Sequence, residues 1–115
     1  MTDLSPNAVV SKLMRISEEL TELSKDLDQL EVDAVNARED YTLAYAQAFL
    51  SAEGAMDVRR YQATVDTAAT RLVAETAEAL VRGRKRQIDT LKVRIDVGRS
   101  AAAALRAEIS LGGVH

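Results

Sequence analysis

Residues 9–30 read VVSKLMRISEELTELSKDLDQL, and their apolar side chains recur at alternating steps of four and three residues. The same spacing continues to Ala48, and a period of 3.5 residues is the heptad repeat of a coiled-coil helix. The repeat consists of Val9, Leu13, Ile16, Leu20, Leu23, Leu27, Leu30, Ala34, Ala37, Tyr41, Ala44 and Ala48. We therefore predict a long first helix over about residues 6–50. It begins at Ser5-Pro6, because serine caps a helix and proline suits its first position.

The repeat is followed by a break at about residues 51–57, SAEGAMD. Gly54 is suited to end the first helix and Asp57 to cap a second one, which we predict over about residues 58–111. A short connection between two long helices favours an antiparallel pair. The predicted fold is all-α, with residues 1–115 forming a single domain that is a long antiparallel helical hairpin, a coiled coil.

The second helix carries two stretches of heptad spacing that are out of register with each other. The first is Val58, Tyr61, Val65, Ala68 and Leu72, and the second is Ile88, Leu91, Ile95, Ala102, Leu105 and Ile109. We predict that the repeat slips between Leu72 and Ile88. Gly83 and Gly98 weaken the helix and mark sites where it can bend.

The hairpin is expected to assemble into a homo-oligomer, because a chain of 115 residues buries a limited share of its surface alone. A second apolar strip on the first helix, at Val10, Met14, Val32 and Val35, supports assemblies larger than a dimer. The predicted oligomer and coiled-coil seam is Val9, Leu13, Ile16, Leu20, Leu23, Leu27, Leu30, Ile88, Leu91 and Ile95.

Charge is strongly segregated along the chain, although the net charge is only -3. Residues 1–57 hold 4 basic and 12 acidic side chains, and residues 58–115 hold 11 basic and 6 acidic ones. The second helix places Lys85, Lys92, Arg99 and Arg106 in one column at heptad position e. Antiparallel coiled coils oppose e with e, and the e column of the first helix offers little negative charge. The first helix carries an acidic column at position g, formed by Glu19, Asp26, Asp33 and Asp40. The basic column therefore either forms ion pairs within or between subunits or contacts a polyanion such as a nucleic-acid backbone.

Aromatic side chains cluster near the turn, with Tyr41, Tyr45 and Phe49 on one helix face and Tyr61 just beyond the turn. We expect these rings to pack in the core of the hairpin. The alternative is a stacking platform for unpaired bases, because Arg38, Arg59 and Arg60 lie nearby in the sequence.

Several classes of function find no support in the sequence. There is no cysteine, the only histidine is His115, and no nucleotide-binding glycine motif occurs. We therefore expect no enzymatic activity, no metal, no cofactor and no small-molecule substrate. No apolar run reaches the length of a membrane span and no signal peptide is recognisable, so a cytoplasmic location is expected.

Residues 36–108 resemble the UvsY-like phage recombination mediator family. The resemblance is carried by Arg38-x-x-Tyr41, by Met56-Asp57 and Arg60-Tyr61 after the turn, and by Ile95-Asp96-Val97-Gly98-x-Ser100. It implies a small, all-helical, ring-forming protein that binds single-stranded DNA and loads a recombinase onto strands covered by single-strand-binding protein. The family's Lys-Ala-Arg element reads Asn36-Ala37-Arg38 here, so the resemblance implies DNA contact within that element for Arg38 alone.

The predicted function is that of a non-enzymatic, single-stranded DNA-binding recombination mediator of phage type, acting in the host-cell cytoplasm. Its expected partners are further copies of itself, single-stranded DNA, and a recombinase or single-strand-binding protein. The candidate nucleic-acid contacts are Arg38, Arg59, Arg60, Tyr61, Arg82, Arg84, Lys85, Arg86, Lys92, Arg94, Arg99 and Arg106. The alternative is a structural or adaptor coiled coil, such as a phage scaffold or a host-factor-binding protein, in which both charge columns pair with protein.

Overall fold

Three helices occupy residues 5–112, the part of the chain that the computed structural model describes. Helix α1 spans Pro6–Ser51, α2 spans Met56–Asp66 and α3 spans Ala68–Gly112. No strand occurs within these described residues. The fold is therefore all-α, a long helical hairpin in which α2 and α3 return along α1, and this agrees with the prediction.

The hairpin consists of two compact units, each formed by a part of α1 and the part of α3 that runs back beside it. The terminal unit comprises, among the described residues, 5–25 and 85–112. The turn unit is Asp26–Arg84 and also contains α2. Leu91 and Ile95 are buried in the terminal unit, whereas Ala34, Ala63 and Ala74 are the buried apolar residues of the turn unit.

The heptad repeat of residues 9–48 forms the buried face of α1. Ala34 is buried and every other member of the repeat is half-buried. The helix begins where the sequence predicted, because the hydroxyl oxygen of Ser5 accepts a hydrogen bond from the backbone N–H of Ala8 at 3.2 Å. The periodicity of this stretch thus identified which side chains face the second arm of the hairpin.

The turn depends on Gly54, whose φ of 109° lies in the left-handed region that favours glycine. Arg59 closes the turn by donating a hydrogen bond from Nε to the carbonyl oxygen of Gly54 at 3.0 Å. The predicted start of the second arm at residue 58 with Asp57 as its cap was wrong, because α2 begins at Met56 and its N-cap residue is Ala55. Asp57 lies instead in the first helical turn, where its carboxylate interacts favourably with the helix dipole.

The predicted slip in the heptad repeat of the second arm was wrong. Apart from Arg59, Glu78 and Gly83, the buried or half-buried positions follow one unbroken alternation of four and three: Ala63, Thr67, Thr70, Ala74, Ala77, Val81, Arg84, Ile88, Leu91, Ile95, Gly98, Ala102 and Leu105. We call this face the hairpin seam. The apolar stretch predicted to face α1 between Val58 and Leu72 points outward and is exposed. In the turn unit α1 presents alanines such as Ala34 and Ala44, so small residues on both helices pack closely where bulkier ones would hold the helices apart.

The second arm is also interrupted, which corrects the prediction of one helix over residues 58–111. The interruption is Thr67, which separates α2 from α3, has φ −112° and is only 4% exposed. Its backbone N–H donates to the carbonyl oxygen of Ala63 at 3.1 Å, and its hydroxyl donates to the same oxygen at 2.6 Å. Back-bonding from a threonine side chain favours bending of a helix. Thr42 and Thr64 make the same bond inside α1 and α2, so this bond alone does not account for the break.

The glycines of the second arm do not end α3, which continues through Gly83 and Gly98. Gly98 lies on the hairpin seam, and a Cβ atom placed there would overlap Cδ2 of Leu13. The missing side chain therefore lets Leu13 pack directly against the backbone of α3 in the terminal unit.

Candidate nucleic-acid interface

The basic column of α3 lies along one edge of the hairpin seam. Lys85, Lys92, Arg99 and Arg106 are exposed and recur every seven residues, which is about 10.5 Å along a helix. Lys92, Arg99 and Arg106 make no ion pair or hydrogen bond with any residue in the range 5–112. Lys85 differs from them because it makes a contact of its own. We call Lys92, Arg99 and Arg106 the cation row.

The part of α1 that borders Arg99 is mostly neutral or apolar. Arg99 borders a shallow groove of the terminal unit together with Val10, Leu13, Met14 and Ser17. Glu18 also borders this groove, but it forms no ion pair with Arg99. Pairing of e with e therefore leaves Arg99 without a carboxylate partner among residues 5–112.

Arg84 occupies a different environment from the cation row. Its side chain is half-buried on the hairpin seam, and its Nη1 atom lies 3.7 Å from Oδ2 of Asp26 on α1. The structure thus brings one predicted nucleic-acid contact to a carboxylate of the acidic α1 column. Asp33, one heptad further along α1, accepts a hydrogen bond from Nε2 of Gln29 at 2.8 Å and borders apolar side chains.

Arg38 is engaged by the turn unit itself. Its Nε and Nη2 atoms hydrogen-bond to Oε2 and Oε1 of Glu78, the first at 2.9 Å, in a two-pronged pair. The guanidinium carbon also lies 5.4 Å from the ring centroid of Tyr41. Hydrogen bonding to Arg38 lowers the pKa of the Glu78 carboxyl, and the same bond raises the pKa of Arg38. A phosphate would have to compete with Glu78 for this side chain.

The aromatic residues separate into a packed group and one exposed ring. Tyr41 and Tyr45 are half-buried and meet edge to face, with ring centroids 6.2 Å apart, and Phe49 is half-buried as well. Tyr61 lies on the outer face of α2 and is exposed. The packed group agrees with the expectation of core packing, whereas Tyr61 is not part of the core.

The other predicted contacts are spread over both units. Arg59 is half-buried and holds the turn, whereas Arg60, Arg82, Arg86 and Arg94 are exposed. Among the described residues no group of three or more acidic, histidine or cysteine side chains could hold a metal ion. Over the same residues no helix has an apolar stretch long enough to cross a bilayer.

Glu78, the partner of Arg38, was missed in the sequence. Arg38 occupies an e position of the α1 repeat, and Glu78 occupies an e position of the second arm when its heptads are numbered without a slip. Antiparallel helices place e positions opposite each other. The incorrect register between Leu72 and Ile88 hid that signal. Comparison of the chain with protein-family models, with curated proteins and with solved structures gave no match.

Proposed function

We propose that this chain is a non-enzymatic accessory protein that binds single-stranded DNA through the cation row on α3. The observation that carries the proposal is that Lys92, Arg99 and Arg106 are exposed, aligned and without an ion-pair partner among residues 5–112. Phosphates are the ligands for which such a row has a direct electrostatic attraction.

The choice of single-stranded DNA rests on the resemblance of residues 36–108 to recombination mediators. That resemblance also motivates a recombinase and a single-strand-binding protein as partners, and a role in recombination. These partners remain part of the proposal. The test below therefore compares a single strand with a duplex of the same length.

Binding is measured by fluorescence anisotropy with a labelled oligonucleotide as salt is raised. Three phosphate contacts predict a slope of log K against log salt of about -2 for a single strand, because each contact releases condensed counterions. Lys92→Glu, Arg99→Glu and Arg106→Glu in one variant should abolish most of the binding. The reasoning is overturned if the native protein does not bind the single strand at low salt.

A matched control separates a local site from the effect of net charge. Reversing Lys12, Arg15 and Lys25 on α1 to glutamate changes the net charge by the same amount at exposed positions outside the row. We expect this control variant to keep most of the affinity and nearly the same salt slope. Equal loss of binding in both variants would show that the row is not the site. Circular dichroism checks that both variants remain helical.

A second candidate, a structural or adaptor coiled coil, is favoured by the many large apolar side chains that remain exposed, among them Val35, Val65 and Leu72. In that case the cation row pairs with acidic helices of another protein chain. The triple reversal in the row then changes the assembly mass measured by light scattering, and the native protein binds neither strand nor duplex.

A further inference from the structure

The outer face of α2 and the first turns of α3 carries a second, complete coiled-coil repeat. Val58, Tyr61, Val65, Ala68 and Leu72 follow one another at steps of three and four, and all are exposed. The four larger side chains are between 55% and 75% exposed. Single exposed apolar residues are ordinary on a protein surface, but a run at heptad spacing is the signature of a helix that packs against another helix. We call these five residues the outer seam.

The outer seam is not needed for folding of the hairpin, because the same segment packs on α1 through its opposite face. That inner face consists of Ala63, Thr67, Thr70 and Ala74. Ala63 and Ala74 are fully buried there. The two faces of this segment thus have different roles, and α1 of the same chain covers only the inner one.

The charges beside the outer seam are complementary to those of a reversed copy of the same segment. On one flank, at the position equivalent to g, the sequence reads Asp57, Thr64 and Arg71. Antiparallel helices pair g with g, so a reversed copy brings Asp57 opposite Arg71 at both ends and Thr64 opposite itself. The other flank, Gln62, Ala69 and Thr76, carries no charge and creates no repulsion.

The apolar layers fit the same arrangement. With the two-fold axis level with Ala63, Val58 lies opposite Ala68 and Tyr61 opposite Val65, so apolar side chains of the two copies meet in every layer between the two Asp57–Arg71 pairs. Among residues 5–112 the ion-pair partner of Arg71 is Glu75 on the next helical turn, at 3.8 Å. Asp57 has no ion pair within residues 5–112.

We infer that the outer seam is a self-association surface, which seats residues 57–72 of a second copy in antiparallel orientation about a two-fold axis. This inference names an interface for the predicted homo-oligomer and does not depend on DNA binding. It also gives Tyr61 a role in an interface between copies in place of base stacking.

The test uses the full-length chain in analytical ultracentrifugation over a range of concentrations. Val65→Glu places a charge at the centre of the outer seam and should raise the dimer dissociation constant by about 30-fold or more, as for a central interface residue. Leu43→Glu is the matched control, because Leu43 is an exposed apolar residue of the same unit, 53% exposed against 72% for Val65, and lies outside the outer seam. The inference is overturned if the native chain is a monomer at every concentration, or if both variants dissociate equally.

The antiparallel orientation has its own test. Asp57→Arg and Arg71→Asp each create two like-charge pairs in the proposed dimer, and each alone should weaken association by about three- to tenfold. Mixing the two single variants in equal amounts restores both opposite-charge pairs and should restore near-native association. A mixture that associates no better than either variant alone rules out the reversed pairing, and unchanged mass in both single variants does the same.

Discussion

Adding a methyl group at Gly98, where Leu13 packs closely, tests how the two helices of the terminal unit pack. In Gly98→Ala the new Cβ would overlap Cδ2 of Leu13 and lie 3.3 Å from its Cγ. Alanine gains about 1 kcal/mol over glycine in helix propensity, whereas forcing a methyl group into a packed site costs about 1–3 kcal/mol. We therefore expect Gly98→Ala to lower the free energy of unfolding by between zero and about 2 kcal/mol.

A double-mutant cycle isolates the contact. In a Leu13→Ala background the overlap is gone, and Gly98→Ala should then stabilise the protein by about 1 kcal/mol. Urea unfolding of the four proteins, followed by circular dichroism at one protein concentration, gives the coupling energy, expected at about 1–3 kcal/mol. Gly112→Ala is the control, because no atom outside its own helix backbone lies within 4 Å of the new Cβ. If Gly98→Ala stabilises both backgrounds equally, Leu13 does not pack on Gly98.

Two further predictions concern one polar and one apolar contact. The pKa of Glu78 is lowered from 4.5 by its hydrogen bond to Arg38, so its stabilising effect is complete above about pH 4.5 and lost as pH falls through the lowered value. Urea midpoints of Glu78→Gln should accordingly lie below those of the native chain at pH 7, and the difference should shrink as the pH falls below about 4.5 through the lowered pKa. Glu39→Gln should track the native chain over the same range. A constant offset for Glu78→Gln would contradict the assignment. Leu91→Ala should lower the free energy of unfolding by about 2–5 kcal/mol, because Leu91 is only 4% exposed. Val93→Ala, at a position that is 61% exposed, should change the free energy of unfolding by no more than about 0.5 kcal/mol. Similar losses in both variants would show that the hairpin seam is misassigned.

The nucleic-acid candidates were predictable as cations, but their environments were not. Sequence spacing placed Lys92, Arg99 and Arg106 in one column, and the structure leaves them exposed on one edge. Spacing alone did not distinguish them from Arg84, which pairs with Asp26 across the hairpin. An ion pair between helices depends on the register of two segments far apart in sequence, and a heptad pattern within one helix does not contain that register.

The sequence by itself determined the fold class, the limits of α1 and the buried face of its whole length. This was possible because the apolar repeat has bulky residues from Val9 to Leu30 and continues mainly with alanines. A repeat of that length fits only one face of one long helix. It also contained both apolar repeats of the second arm, since Val58 to Leu72 and Ile88 to Ile95 were recognised from spacing alone.

Only the tertiary structure decided which repeat of the second arm meets α1. Between Val58 and Leu72 the more apolar face was predicted to be buried, yet the small residues around Ala63 and Ala74 face α1. Periodicity measures how apolar a face is, whereas close packing depends on how near two backbones can approach. The alanines of α1 favour the smaller face, and the larger one is left exposed to solvent.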